Sequence, residues 1–211
     1  MCSFIEHMML RLCARNYQQW RGNNWIFVIK YATLPESREN SFWLNRGMKK
    51  QRKQQQRFSS FLVLDFEATC ERGTAIEPQE MVNNQLYFKE TFVQFQKWLE
   101  ETECWNSHNK SMFVTCGDWD LQIMLPKQCR LSSVDIPSEM KHWINIKKAF
   151  SAATGYFPRG IIDMLTKLQL PHQGRLHSGI DDCHNIAAVL KELINRGFVF
   201  EETSHLNLDK I

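Results

Sequence analysis

Apolar and polar positions settle into a regular rhythm over the last two thirds of the chain. Residues 61–64, "FLVL", form a continuous apolar run behind Ser59 and Ser60, which predicts a buried strand over 60–67. Between 86 and 100, Phe88, Phe92, Phe95 and Leu99 recur at helical spacing, and Trp98 widens the stripe. That pattern predicts an amphipathic helix with its stripe in the core. "SMFVTC" (111–116) is a short apolar strand, broken by Gly117 and Asp118 before a helix starts in "WDLQIML". "WINI" (143–146) predicts a strand that runs into the helix "KKAFSAATG", and "GIIDMLTKLQL" (160–170) predicts another helix. The clearest helix is 181–197. Ile186, Val189, Leu190 and Leu193 line one face, Asp181 and Asp182 open it, and Arg196-Gly197 close it. "FVF" (198–200) reads as a last short strand. Strands alternating with helices predict an α/β layered fold.

Upstream the rhythm is absent. In residues 1–44 only "WIFVIKYATL" (25–34) reads as a strand, bounded by Asn23-Asn24 and Pro35. Residues 45–57 carry Arg46, Lys49, Lys50, Arg52, Lys53 and Arg57 with no acid. This segment suits phosphate contact or nuclear localisation, but a solvated linker is the plainer reading of a charge run. The division expected is a poorly defined extension over 1–57, a catalytic-type domain over 58–204 and a short tail over 205–211.

Composition narrows the class. The 211 residues are 43% hydrophobic and 23% charged, enough for a sizeable core. A net charge of +3 permits a nucleic-acid partner without demanding one. Seven cysteines with no CxxC pair argue against a disulfide framework or a structural zinc site, and favour a reducing compartment, cytoplasm or nucleus. The arginines near the start also suit a mitochondrial transit peptide, against which Glu6 counts. No apolar run approaches the roughly 18 residues of a membrane span, so no membrane association is expected.

Against this background the acids stand out. Asp65 and Glu67 end the strand that begins at Phe61 and, two apart, share one face. Neighbouring carboxylates repel unless a cation neutralises them, and hard oxygen ligands suit Mg²⁺ or Mn²⁺. The plainer reading ends the strand at Leu64 and leaves both acids in solvent. Asp120 follows a strand–Gly–Asp break, at the strand end where sites form in open α/β sheets. Asp118 is the better helix cap of the two, which leaves Asp120 to be explained. His177 lies in a Gly-containing loop just before Asp181 and Asp182, and spacing does not choose between those two acids. Four carboxylates and a histidine suggest one chemistry: two divalent ions about 4 Å apart clamping a phosphodiester, with the histidine as general base.

Four blocks, "LDFEATCE", "FVTCGDWDL", "HWINIKKAF" and "GRLHSGIDDCHNIA", resemble the DEDDh exonucleases of the RNase H-like fold. The likeness is greatest to the 3′-to-5′ exoribonuclease branch that includes Snipper, the enhanced-RNAi exonuclease and the prion-interacting exonuclease, and it runs from about 61 to 202. The resemblance implies metal ligation by Asp65, Glu67, Asp120 and Asp182, with His177 and Glu67 catalytic. It selects Asp182 over Asp181, because the family's last acid lies five residues after the histidine. It implies contacts to the terminal nucleotide from Glu67, Ala68, Leu121 and His177. The implied reaction is metal-dependent hydrolysis of the 3′-terminal phosphodiester of single-stranded RNA, releasing nucleoside 5′-monophosphates. A DNA exonuclease would share the site, and the protein partners are not implied.

One departure is large. In the family, two strands and a helix follow the first acids. Here "CERGTAIEPQE" (70–80) runs directly into "MVNNQLYFKETFVQFQKWLE", so roughly 40 residues are absent on average element lengths. The expected sheet is therefore incomplete, with strand 60–67 left as an exposed apolar edge. That loss supports an alternative reading, an impaired variant that binds RNA or protein. Pairing of 25–34 with the orphaned edge is the less favoured way to cover it.

Overall fold

A computed structural model describes residues 16–20, 25–32, 55–67, 88–102, 104–105, 110–175 and 178–210. For 16–20, 25–32, Glu67 and Lys210 the description is of the backbone alone. Among the described residues, six strands form one sheet in chain order: β1 (Asn16–Trp20), β2 (Trp25–Ala32), β3 (Ser60–Glu67), β4 (Ser111–Thr115), β5 (His142–Asn145) and β6 (Ser204–His205). β3, β4 and β5 run parallel, while β1, β2 and β6 pair antiparallel to their neighbours.

Side-chain alternation along β3 builds the layers. Phe61 and Val63 join one apolar cluster, and Leu62 and Leu64 join the other. The first cluster packs β3, β4 and β5 against α3 (Ile146–Thr154), α4 (Ile161–Leu168) and α5 (Gly179–Asn195). Its α5 contribution is Cys183 together with Ile186, Val189, Leu190 and Leu193, the stripe expected from the sequence. The second cluster holds α1 (Phe88–Glu101) through Phe88, Phe92, Phe95, Trp98 and Leu99. Helices on both faces of a largely parallel core explain why 61–64 read as continuously apolar.

Three expectations change. β2 pairs antiparallel with the whole of β3, from Trp25 opposite Glu67 to Ala32 opposite Ser60. The strand expected to be an open edge is therefore flanked on both sides, and the less favoured pairing is the one observed. The sheet also draws in two segments of the N-terminal extension. Residues 198–200 are not a strand: Gln56 bonds their backbone with its side-chain amide (Nε2 to the Phe198 carbonyl, 2.7 Å; Phe200 N–H to Oε1, 3.1 Å), and the strand comes later, at Ser204.

The helix after β4 starts irregularly. Residues Asp120–Met124 form a π-helical turn before α2 (Leu125–Ser132). Pro126 lies inside this run, lacks an N–H and crowds the carbonyl four residues back. A wider turn upstream relieves that crowding, and such turns recur at functional sites.

Candidate active site

Three of the expected acids lie within electrostatic reach of one side chain, Cys116, at the carboxyl ends of β3 and β4. Asp65 lies near the end of β3, on the parity of Phe61 and Val63, toward α5. Asp120 opens the π turn and is 7% exposed; Asp182 is the fourth residue of α5 and is 6% exposed. Cys116, just past β4, reports on their convergence. Its thiol is pushed up to about 12, by burial first and then by Asp65, with further contributions from Asp120 and Asp182 opposed by Lys147. One side chain thus feels all three carboxylates.

Asp120 is tied to β3 directly. The Phe66 N–H donates to its Oδ1 at 2.9 Å, so the second acid is registered on the strand that carries the first. Burial pushes the Asp120 carboxyl up to about 6, and the hydrogen bond from Phe66 only partly offsets it. A buried carboxylate in that state is one that a bound cation would return to the charged form.

Asp118 does not cap the helix with its side chain. Its Oδ1 accepts from Trp143 Nε1 (3.0 Å) and Ser204 Oγ (2.7 Å), and its Oδ2 meets Lys148 Nζ at 2.9 Å. The residue expected to be a cap is instead a hub joining the β4 turn to β5, α3 and β6. Leu121, expected at the terminal nucleotide, has no exposed surface and packs with Leu64 and Phe92. That burial places it in the packing beneath the Asp120 turn. Ala68 and His177 lie outside the described residues, as does the side chain of Glu67.

The two acids left open by spacing separate in space. Asp181 faces the preceding loop, where it accepts from the Arg175 N–H at 3.0 Å, while Asp182 turns inward. Asn185, fully buried, holds the same loop: its Oδ1 accepts from the Gln173 N–H and its Nδ2 donates to the Gln173 carbonyl. Sequence reasoning missed Asn185. Its signal was an amide on the inward face of an apolar helix, where a polar side chain needs a partner.

Gly174 completes this clamp. It sits at φ 70°, and a side chain there would strike the Asp181 carboxylate. Gly174→Ala is therefore expected to cost about 1–2 kcal/mol. A thermal melt checks it: the midpoint should fall by a few degrees, and an unchanged melt would mean the loop tolerates a left-handed alanine.

Carboxylates gathered at the strand ends of a sheet with helices on both faces define the class as an α/β nuclease domain of the RNase H-like kind. Within it, the chain belongs to the exonuclease family, whose model (RNase_T, Exonuclease) matches residues 65–190. ERI1 exoribonuclease 3 of Homo sapiens is 37% identical over 195 residues, covering 71% of this chain and 58% of that protein. The 3′-5′ exonuclease Snipper of Drosophila melanogaster is 31% identical over 160 residues, covering 68% and 57%. The chain thus spans less than two thirds of the length of these relatives. Among solved structures, the nuclease domain of 3′hExo, a DEDDh family member bound to rAMP, superposes with a TM-score of 0.62 at 20% identity, covering 92% of this chain and 96% of that one. Cell-death related nuclease 4 gives 0.56 at 22% identity, covering 87% and 63%. Both show the fold. The human match takes up about 150 of these 211 residues, so about 45 of its 195 aligned positions have no counterpart here. That agrees with the short interval after the first acids.

Exonucleases of this family are generally dependent on divalent metal. Among the described residues no three His, Cys, Asp or Glu side chains stand close enough to hold an ion alone. Oxygen donors of this type still suit Mg²⁺, which takes one or two carboxylates and fills its shell with water and substrate phosphate. The residues that would hold it are Asp65, Asp120 and Asp182, with Glu67 two residues after Asp65.

Proposed function

We propose that this protein is a metal-dependent 3′-to-5′ exoribonuclease that hydrolyses the 3′-terminal phosphodiester of single-stranded RNA and releases nucleoside 5′-monophosphates. The observation that carries this is the meeting of Asp65, Asp120 and Asp182 around Cys116. The names of the relatives, exoribonuclease and 3′-5′ exonuclease, support the same direction and substrate.

Two Mg²⁺ ions, or Mn²⁺, would supply a more acidic attacking water and charge neutralisation at the leaving oxygen. The remaining work belongs to side chains. Asp65, Glu67, Asp120 and Asp182 are the proposed ligands. Asp120 is held in place by the Phe66 N–H, and the Asp118 hub secures the turn that bears it. His177 is the proposed general base, since an imidazole near its ordinary pKa accepts a proton at neutral pH. Glu67, Ala68, Leu121 and His177 are proposed at the terminal nucleotide.

The test is incubation of the purified, folded protein with 3′-labelled RNA and Mg²⁺. Labelled mononucleotide should appear first, and Asp65→Asn should reduce its rate by at least about a hundredfold. Folded protein that releases none would instead support a binding module. Activity surviving in Asp65→Asn would overturn the site.

A further inference from the structure

We propose that Tyr156 and Phe157, together with Lys147 and Lys167, form a stacking surface for the second and third RNA nucleotides upstream of the scissile bond. The proposal rests on the exoribonuclease reading and extends it from the terminal nucleotide to the strand behind it.

The surface begins where α3 ends. Gly155 takes a left-handed conformation, φ 74°, and the chain turns out of the helix. The next two residues are aromatic and open to solvent: Tyr156 is 37% exposed and Phe157 is 60% exposed. Single exposed apolar residues are ordinary on any protein. Adjacent aromatic rings, each with an ammonium beside it, are not. Lys147 Nζ lies 5.6 Å from the centre of the Phe157 ring, and Lys167 Nζ lies 4.4 Å from that of Tyr156.

The loop is held rigidly although its rings are exposed. Asp163 Oδ2 accepts from Tyr156 Oη and from the Arg159 N–H, both at 2.9 Å. The Tyr156 N–H donates to Thr154 Oγ1 at 3.3 Å. A preformed aromatic platform loses little entropy when a base stacks on it. Base–aromatic stacking is tolerant of sequence, which suits an enzyme that must accept each nucleotide in turn.

Charge and position agree with this occupant. Lys147, Arg159 and Lys167 outnumber Asp163, so the patch is positive beside a site dense in carboxylates. Phosphates repelled by those acids would be drawn along it. Lys147 connects the two. It lies two residues after Asn145, the register partner of Thr115, and Cys116 next in the chain borders the three acids.

Turnover of a ten-nucleotide oligoadenylate and of the dinucleotide ApA by wild type, Phe157→Ala and Phe157→Trp tests the proposal. Phe157→Ala should raise KM for the ten-mer about tenfold, leaving its kcat and all ApA kinetics unchanged, and Phe157→Trp should restore KM. A second arm measures binding of a fluorescein-labelled ten-mer in EDTA. There Phe157→Ala should weaken binding about tenfold, and Lys147→Gln and Lys167→Gln should each reduce the salt slope by about 0.7. Unchanged ten-mer binding in Phe157→Ala would overturn the proposal, as expected if the patch instead serves a protein partner. So would equal losses on ten-mer and ApA, which would mark a structural role. Wild type that binds the ten-mer but hydrolyses neither substrate would overturn the exoribonuclease reading, while the binding arm still decides this surface.

Discussion

Asp120→Asn is expected to slow RNA hydrolysis by about 10²–10³-fold and, in the same protein, to raise the stability of the metal-free form. Asparagine is nearly isosteric, and its Oδ1 still accepts from the Phe66 N–H. What it lacks is the charge. Burial raises the Asp120 carboxyl from 3.8 to about 6. A raised pKa in the folded state means that the group favours folding when protonated. That contribution is fully present below about pH 3.8 and is lost as pH rises through about 6. Above pH 6 the buried carboxylate then costs on the order of 3 kcal/mol, a cost the amide does not carry. In EDTA at pH 7.5 the variant should melt several degrees above wild type. At pH 4 the two should nearly coincide.

Metal reverses the ranking. Mg²⁺ that binds the folded state should stabilise wild type by mass action, and Asp120→Asn should gain less. Protons compete for the same carboxylate, so the metal concentration needed by wild type should rise as pH falls through about 6. Melts across pH, with and without Mg²⁺, read all of this without reference to activity. A variant less stable than wild type in EDTA at pH 7.5 would show that the carboxylate is not a buried charge. Hydrolysis itself should fall about 10²–10³-fold, the loss expected for one electrostatic stabiliser.

Ile29→Pro should release the central strand. β2 lies between β1 and β3, so its peptide groups serve two neighbours, and Ile29 is opposite Val63. Proline there removes a ladder hydrogen bond and does not fit mid-sheet, at a cost of about 3 kcal/mol or more. Detaching β2 would leave β3 as an apolar edge open to pairing with other chains. The expected outcome is loss of soluble protein and, in what remains soluble, fast amide exchange over 60–67. Unprotected 25–32 alongside a fully protected 60–67 in wild type would show that β2 does not cover this edge.

Much of the site was legible because its residues break local rules. Asp65 interrupts an apolar run, and Asp120 had no local job once Asp118 was taken as the cap. Asp118 itself misled, because a favoured cap type at a helix start says nothing of the indole, hydroxyl and ammonium that the fold brings to it. Leu121 shows a related limit: it follows Asp120 in sequence, yet its side chain is buried in the layer under α1 and α2, which spacing alone does not tell. The clamp of Asn185, Asp181 and Gly174 was invisible because it joins a loop and a helix face whose contact depends on how the loop folds back.

The sequence by itself determined the elements of the α/β core, the two apolar faces of β3 and the identity of the candidate acids. These follow from periodicity and from chemical type, both local properties. Tertiary structure alone decided that Asp182 and not Asp181 turns inward, that Phe66 registers Asp120 onto β3, and that 25–32 covers the edge left by the missing strands. The last two are contacts between segments far apart in the chain, and the first depends on how the loop at 173–175 folds back onto α5. Local propensity carries no information on partners at that distance. Backbone hydrogen bonds left open on β3 had to be met by whichever strand could reach them, and in this fold that strand is β2.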